Sequence, residues 1–167
     1  LAALGFNYVN TPSTAATLVT GGAATAEITN ENIDSIRLAI ANSANDLSGV
    51  LTYSALTSLV ETTAKAANTI QAYGAADSAS ATPVPTPADY ATVGVIGVTD
   101  ENVAAINSSL ATDGVINTIS SSVAAEVQDI VDTWAKVETL ADGEADSLSV
   151  TTSVTDILPT ITGGSGT

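Results

Sequence analysis

Cysteine, histidine and methionine are all missing from this 167-residue chain. Without imidazole or thiolate, catalytic triads and dyads built on those groups are excluded, as are His- or Cys-ligated metal sites. Basic residues are almost missing as well. Arg37, Lys65 and Lys136 stand against 18 acidic residues, for a formal net charge of −15. Nucleic acid drops out as a partner, because phosphate binding draws on clustered Lys and Arg. Aromatics make up only 4%, and Tyr8, Tyr53, Tyr73 and Tyr90 are too scattered to form a stacking array for bases or sugars. Leu1 to Ala26 carries no charge, yet Asn7, Asn10, Pro12, Gly21 and Gly22 interrupt it. An apolar span of about 20 residues, enough to cross a membrane, is therefore not there.

What is present is hydrophobic enough to fold. Apolar residues reach 45% and charged residues only 13%, which sets the chain apart from disordered acidic tails. Its length suits one ordinary domain or two small ones. Ala, Thr, Ser, Gly and Asp abundance combined with these absences is the composition of secreted bacterial surface proteins and other extracellular assemblies; the missing cysteine alone is neutral on compartment. Leu1 opens the chain without a basic stretch ahead of it, and the expectation is a processed protein or a piece of a longer one.

Self-similarity organises the chain. Ile28-Thr29-Asn30-Glu31-Asn32-Ile33 returns as Val98-Thr99-Asp100-Glu101-Asn102-Val103, 70 residues on. Leu59-Val60-Glu61-Thr62 returns as Ile130-Val131-Asp132-Thr133, and Ala64-Lys65 as Ala135-Lys136, both 71 residues on. The expectation is two copies of one helical unit, with one inserted residue between the blocks.

Each copy opens with a helix signal. Thr29 and Thr99 are placed to act as N-caps, and Glu31 and Glu101 complement the positive end of a helix dipole. Ile33, Ile36 and Ile40, and in the second copy Val103, Ile106 and Leu110, follow at i, i+3, i+7. This spacing predicts helices over 30–42 and 100–111. Longer helices are predicted over 53–73 and 121–141. The stripe of the first is Leu56, Leu59, Val60, Ala64, Ala67 and Ile70; that of the second runs from Val127 through Ile130, Val131, Trp134 and Val137 to Leu140 and Ala141. Gly74 and Gly143 suit the left-handed turn that closes a helix.

Between the copies, alternating Pro and small residues over 78–87 read as a stiff, extended linker. Thr86-Pro87-Ala88-Asp89 reads as a helix start, with Thr as cap and Pro in the first turn, so a short helix is expected around Tyr90 ahead of Gly94 and Gly97. A looser counterpart, from Pro12 to Glu27, precedes the first copy. After Gly143, Leu148, Val150 and Val154 alternate with Ser and Thr as a strand or extended connector would, and the chain ends in a Gly-rich stretch.

Pro87-Ala88-Asp89-Tyr90, Gly94-Val95-Ile96-Gly97-Val98-Thr99 and Asn102-Val103-Ala104-Ala105-Ile106-Asn107 together resemble the repeat units of very large bacterial cell-surface and biofilm-type adhesin proteins. The likeness covers Thr86 to Leu140; the first copy lacks the Asp-Tyr and Gly-Val pieces. The resemblance implies a secreted repeat module with a structural or adhesive role, and it carries no functional residues with it.

Acidic residues supply the remaining candidates. Asp142, Glu144 and Asp146 alternate around Gly143 and Ala145, and alternate carboxylates on a loop converge on calcium, which takes six to eight oxygen ligands. No Glu follows at the twelfth position of an EF-hand. A solvated loop after a helix explains the same pattern. Asp129 and Asp132 share a helical face with Glu126 one turn earlier, but a solvated face accounts for them, and nothing in the sequence marks the pocket that acid–base work requires. Lys65 and Lys136 occupy equivalent positions, four residues after Glu61 and Asp132, which favours ion pairing over a Ser–Lys dyad. Trp134 stands where the first copy has Thr63 and reads as a core or interface anchor. Asn107-Ser108-Ser109 matches a glycosylation sequon.

The expected fold is mainly α: two tandem helical-hairpin repeats forming a small bundle, with extended or short β segments at the termini. Residues 1–77 form a first unit with an N-terminal extension, 78–87 a linker, 88–143 a second unit, and 144–167 an extended C-terminal segment. The expected role is non-enzymatic and extracellular, with neighbouring repeats or copies of the chain as partners and no cofactor beyond calcium. The alternative is a subunit of a self-assembling filament or surface lattice, its uncharged N-terminal segment and β-prone C-terminal segment completing a neighbour by strand addition or helix docking.

Overall fold

In the computed structural model, residues 3, 5–9, 18–45, 52–76, 83–112 and 123–141 are described. Among them the fold is mainly helical, with five helices covering 64% and a few two-residue strands. Strand β1 (Tyr8–Val9) pairs in parallel with β4 (Ile28–Thr29), Tyr8 opposite Ile28 and Val9 opposite Thr29. Between them β2 (Val19–Thr20) and β3 (Ala23–Ala24) form an antiparallel hairpin. Its turn is Gly21-Gly22, at φ of 61° and 81°, a backbone region that costs side-chain-bearing residues energy and glycine almost none. Of the segment read as a looser counterpart ahead of the first copy, Pro12 to Glu27, the described part holds this hairpin.

Helix α1 (Ile33–Asn45) and helix α2 (Tyr53–Ala75) follow. The short α3 (Pro87–Thr92), α4 (Val103–Leu110) and α5 (Val123–Ala141) complete the order. The expected helix around Tyr90 is therefore present, opened by a capping box. Thr86 N–H donates to Asp89 Oδ2 (2.8 Å), and Asp89 N–H donates to Thr86 Oγ1 (3.3 Å).

Three local expectations need correction. The first helix of each copy begins at Ile33 and Val103, three residues later than predicted, because residues 30–32 and 100–102 form a turn. Thr29 Oγ1 does accept from Asn32 N–H (3.3 Å), whereas the Thr99 hydroxyl is hydrogen-bonded to the Glu101 carboxylate. Nor does Gly74 close its helix. It is a buried residue inside α2, and the helix runs on to Ala75, capped by Ala76, whose N–H donates to Tyr73 O. Gly143 and Leu148 to Val154 lie outside the described residues.

Two apolar clusters make the core. The first joins Ile28, Ile36, Val60 and Ala64, with Phe6, Ile33, Ile40 and Leu56 packed against them. The second gathers Tyr90, Val93 and Val95, Ile106 and Leu110 of α4, and Val123, Val127, Ile130 and Val131 of α5. The second cluster is completed by Ala66, Ala67, Ile70 and Tyr73. Helix α2 thus gives its first half to one cluster and its second half to the other. A 23-residue helix is about 35 Å long at 1.5 Å per residue, enough to reach both. Small residues on its second half let α3 sit closely against it. Ile36, Ile106 and Leu110, three of the stripe residues read from the sequence, are fully buried.

Candidate functional site

The residues that carry the sequence repeat also carry a repeated geometry. In the first copy Asn32 Oδ1 accepts from Thr29 N–H (3.0 Å), and Asn32 Nδ2 donates to Glu27 O (2.9 Å). In the second, Asn102 Oδ1 accepts from Thr99 N–H (2.8 Å), and Asn102 Nδ2 donates to Gly97 O (2.8 Å). Donor and acceptor positions match one for one. Each amide ties the residue that opens the turn to the carbonyl five residues behind it, then hands the chain to a helix: Ile36 N–H donates to Asn32 O, and Ile106 N–H to Asn102 O. Asn serves because one side chain offers both an acceptor and donors.

Around this shared turn the surroundings differ. In the first copy Asn32 also donates to Asn68 Oδ1 (2.8 Å), and Asn68 Nδ2 donates to Thr25 O and Glu27 O. Both amides are fully buried. Glu31 is 8% exposed, and its carbonyl accepts from Val123 N–H at the start of α5 (3.1 Å). In the second copy Glu101 is exposed, and hydrogen bonds from Thr99 and from its own backbone hold its carboxyl below the usual carboxylate range.

The second copy has its own polar lock. Tyr90 is fully buried, its hydroxyl donates to Asn107 Oδ1, and Asn107 Nδ2 donates to Pro85 O (2.9 Å). Burial, then the nearby Tyr73 and Asp89, push the Tyr90 phenol well above its ordinary value. Asn107, the acceptor of the matched sequon, is itself buried. Its amide nitrogen is committed to Pro85, so the folded chain does not present it to a transferase.

Beside this lock lies a stiff loop. Gly94 and Gly97 have φ of 92° and 88°. Between them Ile96 donates its N–H to Gln128 Oε1 (2.9 Å) and accepts from Gln128 Nε2 (3.2 Å), which also donates to Asp132 Oδ1 (2.8 Å). One side-chain amide so satisfies both backbone groups of a residue that is itself 75% exposed.

No family model, no curated protein and no solved structure matches this chain.

The sequence-derived candidates fall as follows. Asp142, Glu144 and Asp146 lie outside the described residues. Among the described residues no group of three or more His, Cys, Asp or Glu is placed to hold a metal ion. Asp129 and Asp132 are exposed on α5. Lys65 pairs with Glu61 (2.6 Å), as its spacing predicts, with both side chains half exposed. Lys136 makes no ion pair among the described residues, and Asp132 takes the Gln128 amide instead. Thr63 is fully buried, whereas Trp134 at the matching place is half-buried. No described helix is long and apolar enough to cross a membrane.

Missing from the sequence reading were the buried amide Asn68 and the clamp Gln128, and Asn107 entered it as a glycosylation acceptor and not as a buried anchor. Asn68 falls between Ala67 and Thr69 on the apolar side of a predicted helix, and Asn107 sits next to Ile106 on another. A lone amide on an apolar face is a legible sign that a carbonyl from elsewhere must reach it.

Proposed function

We propose that the chain is a non-enzymatic structural or adhesive module of a secreted bacterial surface protein, built from two tandem helical-hairpin units, with neighbouring repeats or further copies as its partners. The observation that carries this reading is the shared turn: matching residues 70 apart make the same two hydrogen bonds in both copies. How the buried amides are used supports it too. Asn32, Asn68 and Asn107 all donate to backbone carbonyls of this chain, so these three buried amides are spent on architecture. The composition, rich in acids and without Cys, His or Met, supports an extracellular setting.

Light scattering of the purified chain, with calcium and with chelator, tests the reading. A monomer near 16.5 kDa in both conditions is expected. Large elongated particles would favour a filament or lattice subunit instead, and dependence on calcium would bring Asp142, Glu144 and Asp146 forward as ligands. In the filament reading the segment 1–26 completes a neighbour. Against that, β1 is paired within its own chain, Phe6 packs on the first cluster and Leu18 is fully buried.

A further inference from the structure

The two copies of the turn are alike in sequence and in hydrogen bonding, yet unlike in cover. Ile28 and Thr29 are fully buried, Glu31 is 8% exposed and Ser35 is 1% exposed. At the matching places Val98 and Ala105 are only half-buried, and Thr99 and Glu101 are exposed. The cover over the first turn has three sources. Strand β1 runs along Ile28 and Thr29, Asn68 of α2 fills the space behind Asn32, and the start of α5 sits on Glu31, with Val123 N–H on its carbonyl.

That third contact joins one copy to the next. The first N–H groups of a helix have no partner inside it, and a backbone carbonyl beside a carboxylate suits the positive end of the helix dipole. The first copy's turn thus serves as a seat for the first turn of the second copy's long helix. The same seat recurs at Val98–Ala105, and among the described residues no helix start lies on it.

Resting on the repeat reading above, we propose that the turn from Val98 to Ala105 is a docking seat for a further copy of the second unit. The start of that copy's long helix donates to Glu101 O as Val123 donates to Glu31 O. What identifies the occupant is the contact already made in this chain: the same Thr-x-Glu-Asn turn receives the first residue of this helix on its Glu carbonyl. Glu101 is presented for it, its carboxylate charged and held by Thr99. An array of such units would grow head to tail, each helix start closing the turn of the unit before it. This contact is heterologous and not self-limiting.

The test is a chain extended at its C-terminus by a second copy of residues 77–141, compared with the original by circular dichroism and by amide hydrogen exchange over 98–106. Val123→Pro in the original chain is the reference variant. Proline is tolerated in the first turn of a helix but has no N–H to donate, so this change should speed exchange over 29–36 while leaving helix content unchanged. In the extended chain, exchange over 98–106 should slow roughly tenfold or more, and the same proline in the added copy's counterpart of Val123 should reverse the slowing. Added helix content with unchanged exchange over 98–106 overturns the docking seat and leaves the repeat reading standing. An added segment that gains no helix overturns both, since a unit of this fold should form when its neighbour's seat is present.

Discussion

Tyr90 concentrates several effects in one side chain: it is fully buried, its hydroxyl reaches Asn107, and Asn107 holds Pro85. Tyr90→Phe removes the donor and leaves a buried amide oxygen unsatisfied, so it should cost about 1–3 kcal/mol in urea unfolding. The same residue sets an alkaline limit. In the unfolded chain the phenol ionises near its ordinary value of 10.0, whereas in the fold burial holds it well above that. As pH rises the unfolded state therefore loses its proton first, and stability present below pH 10 is lost above it. Urea midpoints measured between about pH 8 and pH 11 should fall above 10 in the wild type, and the fall should be shallower in Tyr90→Phe. An equal fall in both would remove Tyr90 as the cause. Gly97 makes a second prediction at this scale. Its φ of 88° disfavours any L side chain, and an added Cβ would lie 3.3 Å from Val131 Cγ1. Gly97→Ala should cost about 1–2 kcal/mol by the same measurement, and a neutral result would show that the Ile96 loop yields easily.

Among the elements, α2 decides how the molecule unfolds. Its first half belongs to the cluster of Ile36 and Val60, its second to that of Tyr90 and Val127, so neither cluster keeps its shape without the whole helix. Ile36→Ala in the first cluster should cost about 2–4 kcal/mol. It should also shift the unfolding midpoint seen by Trp134 fluorescence, on α5, as far as the one seen by circular dichroism. Two separated transitions would mean that α2 does not couple the clusters. The helices themselves were legible in the sequence because Ile33-Ile36-Ile40 and Val127-Ile130-Val131 repeat at helical spacing, a signal local to each segment. The sharing of α2 was not legible. Ala66, Ala67 and Ile70 look the same whether they face α1 or the helices that follow α2, and only contacts distant in sequence separate the two cases. The starts of α1 and α4 were misplaced for a related reason: Asn32 and Asn102 compete with the helix for the backbone of Thr29 and Thr99, which the Thr–Glu spacing alone does not reveal. The acidic triplet from Asp142 to Asp146 was legible as a pattern, and its geometry lies outside the described residues.

For the molecule as a whole, charge is the main term not yet balanced. Three basic residues face 18 acidic ones, and the ion pairs Asp34–Arg37 and Glu61–Lys65 are exposed pairs within single helices. Such pairs are worth a few tenths of a kcal/mol each, so most of the negative charge goes uncompensated and repels itself in the compact state. Raising ionic strength from about 0.01 M to about 0.15 M shortens the screening length from about 30 Å to about 8 Å. The melting temperature should rise by a few degrees over that range. A melting temperature that falls with salt would point instead to favourable surface pairing among the few cations.

The hydrogen bond between Val123 and Glu31 also fixes an order in time. Its two ends are separated by about ninety residues of chain, and a ribosome adding about 5–20 residues per second needs roughly 5–20 s to make that stretch. For that interval the Glu31 carbonyl lacks the partner that the fold gives it, while the residues of β1, the hairpin and α1 have already been synthesised. The turn at Glu31 is thus closed only after residue 123 has been made, and a product truncated between the two leaves the ribosome with that turn still open.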